Sequence, residues 1–340
     1  PVPFLSPCRV IFKRILTKKP PVAFRLPETA PAVLPHLSRR MSAWWALSRP
    51  PFHLTGLLPF LLGTVMAWSF PGTLRWDILL WGCAGVVLVM LSTYYAGEYW
   101  DIVEDRIAGE RGKSRFSGGS GMVPGGQVKR KQVIAAAVAC LLLALLVGFI
   151  LTFLYGCGPL TIPFGLLGIT GGFLYSARPV RWVSRGIGEL WIALCYGWLP
   201  VVTAFYLQRG TIPAMVHVVT LPLAFSVFSV ILLNEFPDYD ADRIAGKTNL
   251  LVRFGHRSGE SMFILALVSA WVSFFSIAVH YGFPVPVLVG IPFLAVSAVI
   301  IDTVMKSPWE DRKKVERLCG ANILVNMGIT FSLIAGFLSW

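Results

Sequence analysis

Charge is what this chain has least of. Asp, Glu, Lys and Arg make up 14% of its 340 residues, where water-soluble domains carry about 25%. A globule with a solvated, charged shell is therefore excluded. Acid is the scarcer sign, with 17 Asp and Glu against 30 Lys and Arg and a net charge of +13. The six cysteines are scattered with no Cys-x-x-Cys pair, and the five histidines are equally dispersed. That argues against a zinc or haem site built from clustered ligands, and the cysteines read as small buried apolar side chains. Hydrocarbon is what the chain has in excess, with 55% of residues hydrophobic.

Much of that hydrocarbon falls in runs near the roughly 20 residues a helix needs to cross a bilayer. Nine such runs are read, at about 54–72, 78–97, 132–154, 158–176, 187–207, 212–234, 261–281, 285–304 and 319–339. The expected fold is all-α, a polytopic membrane protein of nine transmembrane helices. The basic residues give an independent reading. Gaps 2–3, 4–5, 6–7 and 8–9 together hold 19 of the 30 Lys and Arg, and the N-terminal segment holds nine more. The alternate gaps hold only Arg75 and Arg209. Positive charge stays on the cytoplasmic side during insertion, so the N-terminus and the even-numbered gaps are expected to be cytoplasmic. The basic excess thus reports topology and an anionic ligand or lipid surface, not nucleic acid. Residues 1–42, rich in Pro, Lys and Arg, read as a disordered leader or a transit peptide, and 43–340 as the membrane domain. Pro1 is not a starting Met, so the natural start is expected to precede it.

The scarce acid is not spread evenly. One phrase runs from Gly97 to Gly109 and a second from Asn234 to Gly246, at a constant offset of 137 residues, and both end in Asp-Arg-Ile-Ala-Gly. Nine of the 17 acids lie in or just after the two copies. Each copy ends a long apolar run, where a charge loses hydration and marks a functional site by default. Asn234, Asp238 and Asp242 are spaced i, i+4, i+8 and form one helical stripe; Gly97, Asp101 and Asp105 repeat the spacing. Carboxylate oxygens suit Mg²⁺, which binds one or two carboxylates plus substrate phosphates. Two such stripes facing each other would clamp a diphosphate between two Mg²⁺ ions. Arg106, Arg111, Lys113 and Arg115 follow the first phrase, and Arg243, Lys247 and Arg253 the second, placed to neutralise remaining phosphate charge. Interfacial salt bridging is the plainer reading of one copy; the matched pair weakens it.

These phrases resemble the signatures of the UbiA superfamily of intramembrane prenyltransferases, and the likeness extends over about residues 43–340. Asn234-x-x-x-Asp238-x-x-x-Asp242 matches the pattern in full. Arg49-Pro50-Pro51, Tyr175-Ser176-Ala177-Arg178-Pro179 and Gly186-Ile187-Gly188-Glu189-Leu190 add to it, the last two most like the 1,4-dihydroxy-2-naphthoate branch of menaquinone synthesis. Gly97 departs from the pattern, standing where the family has Asn; glycine offers no donor, and Glu98 is the candidate to reach in.

The resemblance implies a central cavity under a cytoplasmic cap of loops, in a bacterial-type inner membrane. There an isoprenyl group passes from a polyprenyl diphosphate to an aromatic acceptor. It assigns Mg²⁺ to Glu98, Asp101, Asp105, Asp238 and Asp242, with the four aspartates catalytic. Asn234, Arg106, Lys113, Arg115, Tyr175, Arg178 and Lys247 would contact substrate. Glu189 reads first as a helix-start charge favoured by the dipole, and Asn322 and Asn326 as interhelical hydrogen-bond formers. Other readings are a different acceptor such as 4-hydroxybenzoate, a terpene cyclase, a CDP-alcohol phosphotransferase lacking its continuous motif here, and a cation-coupled transporter, whose ionisable groups belong nearer the midplane.

Overall fold

In hydrocarbon every backbone N–H and C=O must be satisfied within its own segment, so apolar runs become helices. In the computed structural model, which describes residues 36–110, 116 and 118–340, nine apolar helices follow from this rule. They are α1 (Arg39–Ser69), α2 (Trp76–Trp100), α3 (Arg130–Leu154), α4 (Thr161–Ser176), α5 (Gly188–Arg209), α6 (Ala214–Ile244), α7 (Leu250–His280), α8 (Pro284–Val304) and α9 (Arg312–Leu338). Eight are long and apolar enough to cross a membrane, and α4 is the shorter one.

The helices outrun their hydrophobic runs, and the reason is physical. Hydropathy fades where a helix leaves hydrocarbon, yet the helix continues into water. So α6 passes through a 3₁₀ turn at Phe236–Asp238 and resumes to Ile244. Helix α7 starts at Leu250, well before residue 261. It tolerates Arg253 and Arg257 in its first turns and breaks at Gly255, whose φ of 77° is the left-handed region open to glycine. Arg49, also left-handed, interrupts α1 just before Pro50.

Helices α2 and α3 pack together, as do α6 and α7, while α9 packs on α1 and α6. The bundle is laced by polar contacts of the kind membrane helices use where apolar packing gives no preference. Ser92 Oγ donates to Ala137 O at 2.9 Å, joining α2 to α3. Trp271 Nε1 donates to Ser297 Oγ at 2.9 Å, joining α7 to α8. Asn322 and Asn326 of α9 donate to Ser229 and Ser226 of α6, at 3.1 and 2.7 Å. Ser69 Oγ donates to Phe337 O at 2.9 Å, tying α1 to α9.

Small residues set the closest approaches. A Cβ built on Gly197 of α5 falls 2.5 Å from Cα and 2.6 Å from N of Ala224 in α6, so even a methyl group must push two backbones apart. Gly197→Ala is expected to cost about 1–3 kcal/mol, read as a lowered midpoint of thermal unfolding in detergent. An unshifted midpoint would show that the contact is slack.

Candidate active site

Both acidic phrases lie at one end of the bundle, where α2 and α6 lose their apolar character. After α2 ends at Trp100, the chain turns into a short helix, Ile102–Glu110, which carries Glu104 and Asp105. This helix packs against the end of α6. One cavity is lined by Gly97, Asp101 and Asp105 of the first phrase and by Asn234, Asp238 and Asp242 of the second. The two sets meet across the glycine loop. A Cβ built on Gly118 lies 3.8 Å from Asp105 Oδ1 and 3.6 Å from Asp238 Oδ2, so both carboxylates flank a single point.

Each acid is held by its own partners. Asp101 accepts from Ser176 Oγ at 2.6 Å and from Arg181 Nη2 at 3.3 Å, and Arg181 also pairs closely with Glu104. Asp105 accepts from the backbone N–H of Gly119 at 2.5 Å. Asp242 is bound by Lys247 Nζ at 3.1 Å and by Asn249 Nδ2 at 2.9 Å. Asn249 also caps α7, its Oδ1 accepting from Val252 N at 2.8 Å, so one side chain fixes both a helix start and a site carboxylate. Behind the second phrase, Trp309 stacks on Phe236 at 3.7 Å between ring centroids. Its indole N–H donates to Glu260 at 2.5 Å.

Burial pushes the Asp105 carboxyl up to about 7, with the charge of Glu98 adding to it and Arg49 opposing. Burial also raises Asp101, against Lys247 and the Ser176 hydrogen bond. For Lys247, burial alone would lower the ammonium, but Asp242 and Asp101 hold it well above an ordinary lysine. The pattern is one of negative charge crowded beyond what the local cations balance, as expected where further positive charge is to be bound.

The donor set fits Mg²⁺ in the form that completes its shell with phosphate. All donors are oxygen, and the buried Asn234 keeps its amide oxygen without a hydrogen-bond partner among the described residues. Among those residues no group of three or more His, Cys, Asp or Glu is placed to hold a metal ion by itself; Mg²⁺ takes one or two carboxylates and draws further ligands from substrate phosphates.

Other candidates fall differently. Tyr175 and Lys247 line the cavity. Arg106 and Arg178 are exposed and off its wall, and Lys113 and Arg115 lie outside the described residues. Glu98 is fully buried and is not on the cavity wall, with its Oε2 unpartnered among the described residues. It accepts from Arg49 Nη2 at 3.3 Å and closely from the N–H of Ser120, while Arg49 Nη2 also donates to Gly118 O at 2.7 Å. Glu98 and Arg49 thus clasp the glycine loop. Sequence reasoning missed Arg49, Ser176 and Arg181 as partners of the acids. It also missed Glu235 on the cavity wall, and Glu189, which accepts from Leu250 N at the head of α7 at 2.5 Å. Arg49, Ser176 and Glu189 stood in motifs already singled out, without their partners, and Arg181 lay in the same gap as Tyr175.

A second, almost wholly apolar chamber adjoins the first through Thr93, Ile192 and Tyr196, which line both. Tyr94 lines the first cavity beside Tyr196. An anionic head site opening onto an apolar chamber is the shape of a site for a charged amphiphile.

Comparison with known proteins agrees. The 1,4-dihydroxy-2-naphthoate octaprenyltransferase of Bacillus subtilis is 25% identical over 233 residues, 67% of this chain and 71% of the relative. The Haemophilus influenzae protein of the same name is 21% identical over 316 residues, 88% and 98% of the two chains. Among solved structures, the apo UbiA homolog from Aeropyrum pernix K1 superposes with TM-score 0.61 at 15% identity, covering 84% of this chain and 97% of that one. The UbiA homolog from Archaeoglobus fulgidus bound to GPP and Mg²⁺ gives 0.53 at 16% identity, over 86% and 99%. At such identities the structures speak for the fold alone. The model of the UbiA prenyltransferase family matches residues 56–323, and with most of its length so matched, this chain belongs to that family.

Proposed function

We infer that the protein transfers an isoprenyl group from a polyprenyl diphosphate to an aromatic quinone precursor of the 1,4-dihydroxy-2-naphthoate type, with Mg²⁺, inside the membrane. The observation that carries this reading is the approach of Asp105 and Asp238 to one point at the mouth of an apolar chamber. The names of the bacterial relatives favour the acceptor class. The expected orientation has the acidic end of the bundle facing the cytoplasm.

Asp101, Asp105, Asp238 and Asp242, with Asn234 beside them, would hold the metal. Mg²⁺ bound there supplies positive charge that neutralises the diphosphate as leaving group. Lys247 stands at the same wall to share that charge. The allylic C–O bond breaks with its electron pair going to diphosphate, and the acceptor ring carbon forms the new C–C bond and gives up a proton to the released diphosphate. Tyr94, Tyr175 and Tyr196 present rings to the cavity, where aromatic faces stabilise a neighbouring positive carbon centre. The apolar walls exclude water that would otherwise capture the cation.

The test is incubation of the detergent-purified protein with Mg²⁺, labelled isoprenyl diphosphates of several lengths and a panel of quinone precursors. A prenylated dihydroxynaphthoate is the expected product. Diphosphate released with no prenylated acceptor would instead mark a cyclase or hydrolase.

The adjoining apolar chamber is read as the seat of the isoprenoid tail. A Cβ built on Gly168 meets Leu199 at 3.5 Å and Val89 at 3.9 Å, both chamber residues, so a larger side chain there enters the chamber. Gly168→Phe is expected to raise KM for the longest donor about tenfold while sparing the shortest. An equal effect at every chain length would place the tail elsewhere.

A further inference from the structure

The two acidic phrases look like copies, but their surroundings differ in a way that bears on how metal is loaded. In the second, Asn234 stands at the head of the stripe, 8% exposed, on the cavity wall, with its amide oxygen lacking a partner among the described residues. In the first, the same place is Gly97, which brings no donor. Nor does a neighbour fill the gap. Glu98 does not line the cavity; its Oε1 takes both Arg49 and the N–H of Ser120, and its Oε2 is buried with no hydrogen-bond partner among the described residues. Ser176 Oγ lies 3.7 Å from where a Gly97 Cβ would be, and its proton is already given to Asp101. Both oxygens of Asp101 accept hydrogen bonds, one from Ser176 and one from the cationic Arg181. Asp242 of the second phrase is likewise held at both oxygens, by Lys247 and Asn249, so the difference between the phrases is the donor that Asn234 adds, and an ion at the first phrase finds one donor fewer.

Resting on the reading of these acids as metal ligands, we propose that the sites are unequal: the second phrase takes up a divalent cation from the ligand-free protein, and the first acquires one only together with a diphosphate. Substrate oxygens then supply at the first phrase what Asn234 supplies at the second, because Mg²⁺ and Mn²⁺ complete their shells readily with phosphate. The asymmetry is a property of this chain's own residues. It makes the diphosphate a ligand of the first ion as much as its cargo.

The experiment is Mn²⁺ titration of the purified protein in detergent, followed by electron paramagnetic resonance, with and without inorganic pyrophosphate. One bound Mn²⁺ per chain is expected without pyrophosphate and two with it. Asn234→Ala should weaken the pyrophosphate-independent ion by more than tenfold. Gly97→Asn is sterically admissible, since its Cβ would make only ordinary contacts at 3.7 and 3.9 Å, and it should allow two ions to bind without pyrophosphate. Two equal sites in the unmodified protein, or an Asn234→Ala variant that binds Mn²⁺ as before, overturns the inequality while leaving the prenyltransferase reading intact. No Mn²⁺ bound under either condition would overturn the inequality and the metal reading together.

Discussion

Asp238→Ala is expected to lower turnover by about 10²–10³-fold, the usual cost of removing one group that stabilises charge developing in a transition state. Asp238 sits at the end of the 3₁₀ turn in α6, buried, with its Oδ2 on the point it shares with Asp105. Truncating it removes the second phrase's contribution to that point. Initial rates at saturating donor and acceptor, beside the thermal midpoint of the same preparation, check the claim. A variant that folds normally and turns over at the unmodified rate would rule out any metal role for Asp238.

The second large effect concerns Lys247. It lies in the short link between α6 and α7, mostly buried, 3.1 Å from Asp242, and within the field of Asp101 and Glu235. Lys247→Met leaves buried carboxylates without their cation. Breaking a buried pair by removing one partner costs about 3–5 kcal/mol, more than the pair itself contributes relative to a hydrophobic substitute. A marked drop in the unfolding midpoint is therefore expected, with loss of turnover. Adding Asp242→Asn should restore much of the stability, because the orphaned charge is gone, and none of the activity. If the double variant proved no more stable than Lys247→Met alone, the charge account would fail.

Much of this architecture was legible in the chain, for identifiable reasons. Hydrocarbon forces each run into a helix, so nine runs gave nine apolar helices among the described residues. The 137-residue repeat located the acids because charge beside hydrocarbon is costly and therefore stands out. The helix ends were less legible. Residues 235–244 and 250–260 are helical in large part yet carry no hydropathy signal. Which side chains pair with the acids was not legible, although Arg49 and Ser176 stand in quoted motifs. Arg181 meets Asp101 across 80 positions of sequence, Ser176 across 75, and Arg49 meets Glu98 across 49. Such contacts come from helix packing, which leaves no local pattern. Glu98 illustrates the limit. Beside Gly97 it reads as a substitute ligand, but Arg49 and the loop amide take one of its oxygens and it is not on the cavity wall. Glu189 did start a helix, but its carboxylate serves the head of a different one.

The stack of Trp309 on Phe236 has a practical corollary for anyone editing this protein. The hairpin joining α8 to α9 resembles a spare tether at a membrane surface, the sort of place where tags and short insertions are ordinarily harmless. Here it presses an aromatic plate, pinned by Glu260, against the back of the turn that presents Asp238. Lengthening that hairpin withdraws the plate, so a fluorophore or epitope belongs elsewhere.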